Sequence, residues 1–553
     1  MTTYVYGGNF EGIQSYIYGT DKLKEIVGAS ELLNEICSAE LFSGSEFDYQ
    51  GAENSLREKF GFNLKFDGNF EIIQAAASKL RIVFEKEDDC RMMMKEFPKI
   101  VRQAAPGIEF SQAFARQESG NMKTIDKKSK EELEGKLAEK KNMPSTLYYP
   151  NLMIVKRANR TGLPVTGKSD KDEWLDEANI KKRDMTDYSM EDNAHKTLTN
   201  KVLFGNDSKS IDAEYKKWFA LPVEIGQIAN SNSFIAVVHA DGNGLGNLIQ
   251  KMGENTPLKE FSKALDDCTV NSAKDAFGEI VKKDGNWKLD NNTGKKVFPF
   301  RPIILGGDDF TFVCKADDAV EFTKRFIQIF EEKTAKKECL NKNGGKLTVC
   351  AGIAFVKENY PMHFAYDLAE SLCDLAKDKA KKLQRAEVKK QNKKEIPIPS
   401  CIAFRKELGS FAENFENIKE ANAGFVFGPY AVNERKGENT PSPDSELPHI
   451  DDLNEVVKVL KNNNSFKSFL RNWMSEELVN PHSAQLLKER FMQVAGEKHP
   501  KEYREFRAAL KKIVPQAEDD LTLEKESVSP VLDILTLISI ADKDKKEANN
   551  DND

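Results

Sequence analysis

The stretch 305–312, LGGDDFTF, decides the fold of the segment around it. Two glycines precede two adjacent aspartates, with the apolar run RPII upstream and the run TFVC downstream. This pattern predicts two strands joined by a tight turn, with Asp308 and Asp309 at its tip. Neighbouring carboxylates repel each other, so their placement at one hairpin tip raises the question of which cation lies between them.

The hairpin belongs to an element order that occurs twice. Its later occurrence has a strand with a glycine-rich turn, the start of a helix, the hairpin, an amphipathic helix, a strand and a closing helix, at 233–244, 245–252, 300–315, 318–336, 346–357 and 361–384. Its earlier occurrence has a strand, a long helical stretch, a hairpin, a helix and a strand, at 3–9, 12–42, 69–85, 90–104 and 107–116. The order β-α-β-β-α-β is the split βαβ of ferredoxin-like folds. We therefore predict an internal duplication, with a first copy and a second copy of one domain.

The two copies differ at the positions that carry charge. The second hairpin tip reads Gly306-Gly307-Asp308-Asp309, whereas the first reads Ala75-Ala76-Ala77-Ser78. The first strand of the second copy ends at Asp241, and the matching strand of the first copy offers Asn9. One copy keeps three carboxylates and the other keeps none, which indicates one working site and one pseudo-site.

A strand-end acid beside a hairpin-tip acid pair is typical of polymerase-type palms that hold two divalent cations. Mg²⁺ or Mn²⁺ would take the carboxylates of Asp241, Asp308 and Asp309 and the backbone carbonyl of Gly242 as ligands. Two ions about 3.5–4 Å apart can activate an attacking hydroxyl and stabilise a leaving pyrophosphate. We therefore assign Asp308 and Asp309 as catalytic. The alternative is an acidic turn without a metal, because Gly-Gly-Asp-Asp alone is a common loop composition.

Glycines and lysines near these acids are candidates for nucleotide binding. Gly244, Gly306 and Gly307 would let a triphosphate approach the backbone closely. Lys377 and Lys381 on the closing helix would reach its phosphates as point charges. The alternative for the lysines is an ordinary solvated helix face.

The composition bounds the class of protein. The 553 residues are 39% hydrophobic and 31% charged, with a net charge of −7, which is typical of a globular chain with three or four structural units. Because we find no membrane-length apolar run and no signal-peptide layout, we expect a cytoplasmic protein. The eight scattered cysteines are predicted to be buried free thiols. No histidine precedes an aspartate, which argues against a His-Asp nuclease motif.

Three stretches together resemble the large palm-domain subunit of type III CRISPR effector complexes. They are the GGDD hairpin, IAVVHADGNGLG at 235–246, and GIQSYI with KLKEIVGASELL within 12–33. The resemblance implies that Asp241, Asp308 and Asp309 bind metal and that ATP is converted into cyclic oligoadenylate when the complex binds foreign RNA. It further implies other complex subunits, a guide RNA and a target RNA as partners. The first copy would then help to hold a second ATP.

The sequence departs from that family in three places. Family members often begin with an HD nuclease domain, whereas this sequence starts at the first copy. The stretch VKRANRTGLPVTG at 155–167 has no cysteine where a zinc knuckle often stands. The strand-end motif is Asp241-Gly242-Asn243 rather than D-x-D. These differences favour a compact or standalone relative.

The predicted fold class is α+β, with two ferredoxin-like, palm or nucleotide-cyclase-type domains. The predicted units are the degenerate first copy at 1–125, a mainly helical insert at 126–225, and the second copy at 226–408. The remainder, 409–553, is predicted to be a linker, a helical C-terminal domain and a disordered tail.

The acceptor side of the reaction is predicted to lie in the first copy. Gln14 and Ser15 begin a helix whose N-terminal amides favour an anionic group, and Gly12 precedes them. We expect the copies to pack face to face, with Asn9 and the tip at Ala75–Ser78 across a cleft from Asp308. The alternative is that GIQSYI is simply helix core.

Other functions remain open at this point. The chain is alternatively a palm enzyme that joins AMP to a non-nucleotide acceptor, a standalone cyclase, or a non-catalytic scaffold that binds RNA and partner proteins. A dinucleotide cyclase of the GGDEF kind shares the palm but does not account for the duplication.

Overall fold

The computed structural model describes most of the chain. The described residues are 2–38, 40–43, 60–62, 64–76, 79–143, 154–169, 172–190, 197–205, 219–246, 248, 258–281, 287–290, 293–341, 346–391, 396–407, 409, 423–433, 447–461 and 463–541. The predicted disordered tail and most of the predicted helix after Gly244 lie outside these ranges.

The first copy is a four-stranded antiparallel sheet with helices on one face. Its strands lie in the order β2-β3-β1-β4, the ferredoxin-like arrangement. The predicted single helix over 12–42 is broken at Tyr18–Lys22, where Gly19, Thr20 and Asp21 interrupt the helical run. The elements are β1 (Thr3–Glu11), α1 (Ile13–Ile17), α2 (Leu23–Ile36), α3 (Glu40–Ser43), β2 (Phe70–Ala76), β3 (Lys79–Phe84), α4 (Glu87–Ala104) and β4 (Glu109–Gln117).

The insert is mainly helical in its described part and contains one small hairpin. Its elements are α5 (Lys127–Lys141), β5 (Val165–Lys168), β6 (Trp174–Asp176), α6 (Glu177–Met190), α7 (Leu198–Phe204), β7 (Phe219–Ala220) and α8 (Ile225–Ile228). Helix α5 buries Leu133 and Leu137 against Val5 of β1, so it covers the face of the first sheet that α2 leaves open. Part of this charged segment is therefore a structural cover rather than a solvated extension.

The second copy repeats the arrangement of the first and extends it. Its six strands lie in the order β10-β11-β8-β12-β13-β14, and the first four reproduce the order of the first copy. The described elements are β8 (Phe234–Gly242), α9 (Leu258–Glu279), β9 (Lys296–Val297), β10 (Phe300–Gly306), β11 (Asp309–Lys315), α10 (Ala319–Ala335), β12 (Val349–Lys357), α11 (Met362–Gln391) and β13 (Cys401–Lys406). Helix α9 was not assigned from the sequence.

The C-terminal region is helical, as predicted, but it begins with a strand. Strand β14 (Tyr430–Ala431) pairs with β13 inside the segment that the sequence assigned to a linker. The Tyr430 hydroxyl donates to the buried carboxylate of Asp533 at 2.6 Å, which ties the last helix to the sheet edge. The helices are α12 (Ile450–Lys461), α13 (Asn464–Val479), α14 (Pro481–Lys498), α15 (Pro500–Lys511), α16 (Ala517–Asp520) and α17 (Val531–Ile540).

The two hairpins have the same length and the same irregularity. Gly306 pairs with Asp309 at the second tip, and Ala76 pairs with Lys79 at the first. A bulge lies at Ile303 in β10 and at the matching Ile73 in β2. The tip of the first copy is therefore 76–79, one residue later than predicted, and its last residue is a lysine. Residues 77 and 78 lie outside the described ranges.

The copies meet through helix α2 of the first and the sheet and α11 of the second. The Ser30 hydroxyl on α2 donates to the carbonyl oxygen of Ile303 on β10. The carboxylate of Asp21 accepts from the backbone N–H of Met362, the first residue of α11, at 3.0 Å. Side chains of both copies then share one buried cluster that includes Tyr6, Ile26 and Tyr366.

The cysteines and the described helices bear on two predictions about the whole chain. All eight cysteines are free thiols and all but Cys339 are buried, as predicted. None of the described helices combines the length and the apolar content that a membrane-spanning helix requires.

Candidate functional site

The three acids predicted to form a site come together at one corner of the second sheet. Asp241 lies near the end of β8, and β8 pairs with β11 so that Ala240 stands opposite Phe310, directly after Asp309. A Cβ atom added to Gly242 would lie 2.7 Å from the Cβ of Asp308 and 2.9 Å from its Oδ2. The side chain of Asp308 therefore packs directly on the Gly242 backbone, which only glycine permits.

The two tip carboxyls have strongly perturbed acidity. Burial, followed by the neighbouring Asp241 carboxylate, raises the pKa of Asp308 to about 7. The same causes, in the same order, raise the pKa of Asp309 to about 7. Two buried carboxyls with raised pKa values beside a third acid make a site that attracts positive charge.

One positive charge is already present. The Lys377 ammonium on α11 contacts the Asp241 carboxylate, and its side chain is 12% exposed. This contact depends on close packing of α11 on β12, since a Cβ at Gly352 would lie 2.0 Å from the carbonyl oxygen of Ala369. Lys381, one turn later, is partly exposed and makes no ion pair with these acids in the described part of the chain.

The described residues do not form a closed metal cage. Among them, no group of three or more His, Cys, Asp or Glu side chains is arranged around one point that could hold a metal ion. The Oδ1 atom of Asp309 is nevertheless buried and has no hydrogen-bond partner among the described residues. The site thus presents carboxylate oxygens with unused acceptor capacity rather than a preformed coordination sphere.

His239 is a site residue that the sequence interpretation missed. Its Nδ1 lies 3.0 Å from Thr311 Oγ1 and 3.5 Å from Asp309 Oδ1. Burial lowers the pKa of His239, so the ring is neutral at pH 7. The only sequence signal was its position two residues before Asp241, which puts both side chains on one face of β8.

The predicted glycines line the same corner. Gly306 ends β10. Gly307 has a φ of 63°, and its carbonyl oxygen accepts from Thr269 Oγ1 at 2.5 Å. Gly244 has a φ of 72° and lies beside Ile398, in the segment that leads to β13.

Of the residues predicted for the acceptor, Gln14 reaches the second copy. Its Nε2 donates to the Tyr366 hydroxyl at 2.7 Å and to Glu370 Oε1 at 3.2 Å, both on α11. Ser15 is exposed, and Gly12 adopts a left-handed conformation with a φ of 61° before the five-residue helix α1. The sequence therefore located the junction between the copies, although its argument from a helix N-terminus does not apply to so short a helix.

The pseudo-site of the first copy contains a guanidinium. Arg81 on β3 donates from Nη1 to Asn9 Oδ1 at 3.0 Å and from Nη2 to Glu134 on α5 at 2.8 Å. Its side chain is buried. Asn9 thus lies on the sheet face covered by α5, and the expectation that it faces Asp308 across a cleft finds no support in these contacts.

Comparison with known proteins identifies the second copy. Residues 234–386 match the family described as Cas10/Cmr2, second palm domain. The second copy is therefore similar to a Cas10 palm domain. A relative from Thermococcus onnurineus (strain NA1), described as a CRISPR system single-strand-specific deoxyribonuclease Cas10/Csm1 of subtype III-A, is 24% identical over 162 residues. That match spans 29% of this chain and only 19% of the relative.

Two solved structures are similar in fold to this chain. The Csm1–Csm4 cassette in complex with pppApApA has a TM-score of 0.47 at 14% identity, covering 98% of this chain and 69% of that chain. Csm1 from T. onnurineus has a TM-score of 0.43 at 15% identity, covering 98% and 70%.

Proposed function

We propose that this Cas10-like subunit is a metal-dependent nucleotidyltransferase that converts ATP into a signalling nucleotide of the cyclic oligoadenylate type. Its setting would be type III CRISPR antiviral defence. The observation that carries the proposal is the convergence of Asp241, Asp308 and Asp309 at one corner of a domain that matches the Cas10/Cmr2 second palm. A protein with only a scaffolding role would gain nothing from Asp308 and Asp309, whose pKa values are raised by burial and by the neighbouring Asp241 carboxylate.

The donor chemistry of the corner fits Mg²⁺ or Mn²⁺. Carboxylates are the ligands these hard cations prefer, and Asp309 Oδ1 is an acceptor without a partner among the described residues. Asp241, Asp308 and Asp309, with the Gly242 carbonyl, would hold two ions. Bound divalent ions supply Lewis acidity toward phosphate oxygens and favour deprotonation of an attacking hydroxyl.

The chain's own residues would orient the donor nucleotide. Gly306, Gly307 and Gly244 leave space beside the acids for a triphosphate. The Lys377 ammonium would leave the Asp241 carboxylate and contact a phosphate oxygen, because both anions are within reach of its flexible side chain. Lys381, partly exposed one turn later, would contact the outer phosphates. Gln14, in the first copy, would contact the acceptor nucleotide at the junction with α11, with Gly12 and Ser15 beside it.

The partners are proposed from the similarity to Cas10 proteins and not from the fold of this chain. We propose that the subunit assembles with other type III complex subunits, a guide RNA and a target RNA. The contact between Lys377 and Asp241, together with the open ligand arrangement, favours a resting state that needs such a partner to become active. The same observation suits the alternative of a non-catalytic scaffold.

Labelled ATP with Mn²⁺ or Mg²⁺ tests the proposal, with and without the assembled RNA complex. The wild type should form a labelled oligonucleotide, and the Asp308→Asn, Asp309→Asn double variant should form none. The matched control replaces two exposed acids, Asp172→Asn and Asp451→Asn, and should behave as the wild type. Equal product from the site variant would contradict the proposal. A labelled adduct without an internucleotide bond would support transfer of AMP to another acceptor.

A further inference from the structure

A tyrosine of the first copy enters the candidate site of the second. Tyr18 follows α1 and is 3% exposed. Its ring stacks on that of Tyr366 in α11, with centroids 4.5 Å apart and an interplanar angle of 22°. The Tyr366 ring in turn meets His239 edge-on at 5.6 Å. Three rings thus form a continuous path from the first copy to the residue beside Asp309.

The Tyr18 hydroxyl is buried and has no hydrogen-bond partner among the described residues. Burial, followed by the neighbouring Tyr366, Asp309 and Glu370, raises the pKa of Tyr18 well above its usual value. The hydroxyl therefore keeps its proton and acts as a donor. Asp309 and Glu370 are thus close enough to influence it.

Two buried polar atoms without hydrogen-bond partners among the described residues lie at the two ends of this path of rings, and Asp309 influences the Tyr18 hydroxyl electrostatically. One is the Tyr18 hydroxyl, a donor from the first copy, and the other is Asp309 Oδ1, an acceptor from the second. Buried polar groups are almost always hydrogen-bonded, and a native exception calls for an explanation. The simplest explanation is a third group that accepts a hydrogen bond from the Tyr18 hydroxyl and donates one to Asp309 Oδ1. An O–H group does both.

We propose that Tyr18 is a residue of the second copy's site, where its hydroxyl donates a hydrogen bond to an oxygen held beside Asp309. This inference rests on the proposed function. The oxygen belongs either to a water of the bound metal ions or to a ribose hydroxyl of the acceptor nucleotide. In both cases Tyr18 acts as a positioning residue, and the site is complete only when the two copies are packed together.

The packing that holds Tyr18 is independent of its hydroxyl. The ring is fixed by its stack on Tyr366, and Gln14 ties the same turn to α11 through the Tyr366 hydroxyl. Tyr18→Phe therefore removes the donor and keeps the ring. Tyr503→Phe is the matched control, because Tyr503 also has a buried hydroxyl without a partner in the described residues but lies in the C-terminal domain.

The test measures Mn²⁺ affinity by titration calorimetry without nucleotide, and kcat and KM for ATP, in the wild type and both variants. If the oxygen is a metal-bound water, Tyr18→Phe should weaken Mn²⁺ binding about three- to tenfold, the loss expected for one hydrogen bond. If it is a ribose hydroxyl, Mn²⁺ binding should be unchanged and KM should rise by about the same factor. Tyr503→Phe should change neither.

Two results would count against the inference in distinguishable ways. Product from the wild type, with unchanged Mn²⁺ affinity and KM in Tyr18→Phe, overturns the inference and leaves the proposed function intact. A wild type that binds no Mn²⁺ and forms no product, alone or in the RNA complex, contradicts both.

Discussion

The ammonium of Lys377 lies on the carboxylate of Asp241, so a side chain supplies the positive charge nearest to the three clustered acids. Lysine is flexible and can leave this position, unlike a backbone dipole. The contact links α11 to the end of β8, and it makes the charge balance of the corner depend on one residue.

Lys377→Met should lower the melting temperature in the absence of metal. A partly buried ion pair of this kind is worth about 1 kcal/mol, or about 2–4 °C for a domain of this size. Added Mn²⁺ should narrow the difference, since the ions replace the lost charge. Differential scanning calorimetry measures both melting-temperature differences. Lys382→Met, at an exposed neighbouring residue, is the control. A larger deficit in Mn²⁺ would contradict the charge-balance interpretation.

The Asp308→Asn, Asp309→Asn variant should show the opposite behaviour. Replacing two mutually repelling carboxyls removes destabilisation, so the melting temperature without metal should hold steady or rise by a few degrees. The stabilisation that Mn²⁺ gives the wild type should vanish, because binding to the folded state is its only source. Thermal shift across a Mn²⁺ series measures both effects. An undiminished Mn²⁺ response would place the metal elsewhere.

Gly242→Ala should disrupt the corner without unfolding the chain. The new methyl group would collide with the Asp308 side chain at 2.7 Å, so Asp308 must move away from Asp241. We expect loss of nucleotide product and weaker Mn²⁺ binding with a nearly unchanged melting temperature. Gly246→Ala, four residues later, is the control, because no described atom lies within 4 Å of the added Cβ. Equal activity in the two variants would show that Asp308 needs no fixed position.

Arg81→Met should destabilise the first copy by about 3 kcal/mol, since it leaves several buried acceptors without a donor. Arg81 donates to the carbonyl oxygens of Gly8 and Leu80 as well as to Asn9 and Glu134. Lys79→Met, on the same strand and exposed, should cost almost nothing. Chemical denaturation of both variants gives the comparison. Similar losses in the two would mean that Arg81 contributes no more than a surface cation.

Asp533→Asn should change how stability depends on pH. Burial raises the pKa of Asp533 to about 7. In the unfolded chain the carboxyl ionises near its ordinary value, so the folded state binds the extra proton between about pH 4 and pH 7 and stability falls as the pH rises through this window. Asparagine stays neutral and still accepts from Tyr430. The variant should therefore melt a few degrees higher than the wild type at pH 8, equivalent to roughly 2 kcal/mol, with a smaller gain at pH 5.

The control for this prediction is Asp172→Asn, which removes an exposed carboxyl and should leave the pH profile unchanged. A constant offset between Asp533→Asn and the wild type from pH 5 to pH 8 would mean that the carboxyl is not protonated in the folded state.

The sequence was sufficient for the duplicated sheets and for the meeting of Asp241 with Asp308 and Asp309. Both follow from short-range patterns: strands with period-two apolar residues, glycines at the turns, and a strand order that brings β8 beside β11. The burial of the free cysteines followed from their apolar neighbours in the same way.

What the sequence did not reveal depends on contacts between distant segments. Tyr18 and Tyr366 carry no local signal that distinguishes them from ordinary core, and His239 had only its spacing from Asp241. The first tip was placed one residue too early because the pairing of Ala76 with Lys79 is set by contacts between the strands and leaves no local signal. Strand β14 is too short to produce a pattern and exists only because β13 offers it an edge.

The equal hairpins of the two copies, with their bulges in register, bear on how the duplicated chain diverged. The two copies share one frame of strands and turns while individual residues at the tips differ, so the difference in acidity between them requires only point substitutions and no change of strand pairing. A variant with Asn9→Asp and Lys79→Asp would therefore place carboxylates on an unchanged frame of strands and turns. The buried Arg81 would decide whether the first copy tolerates these two substitutions.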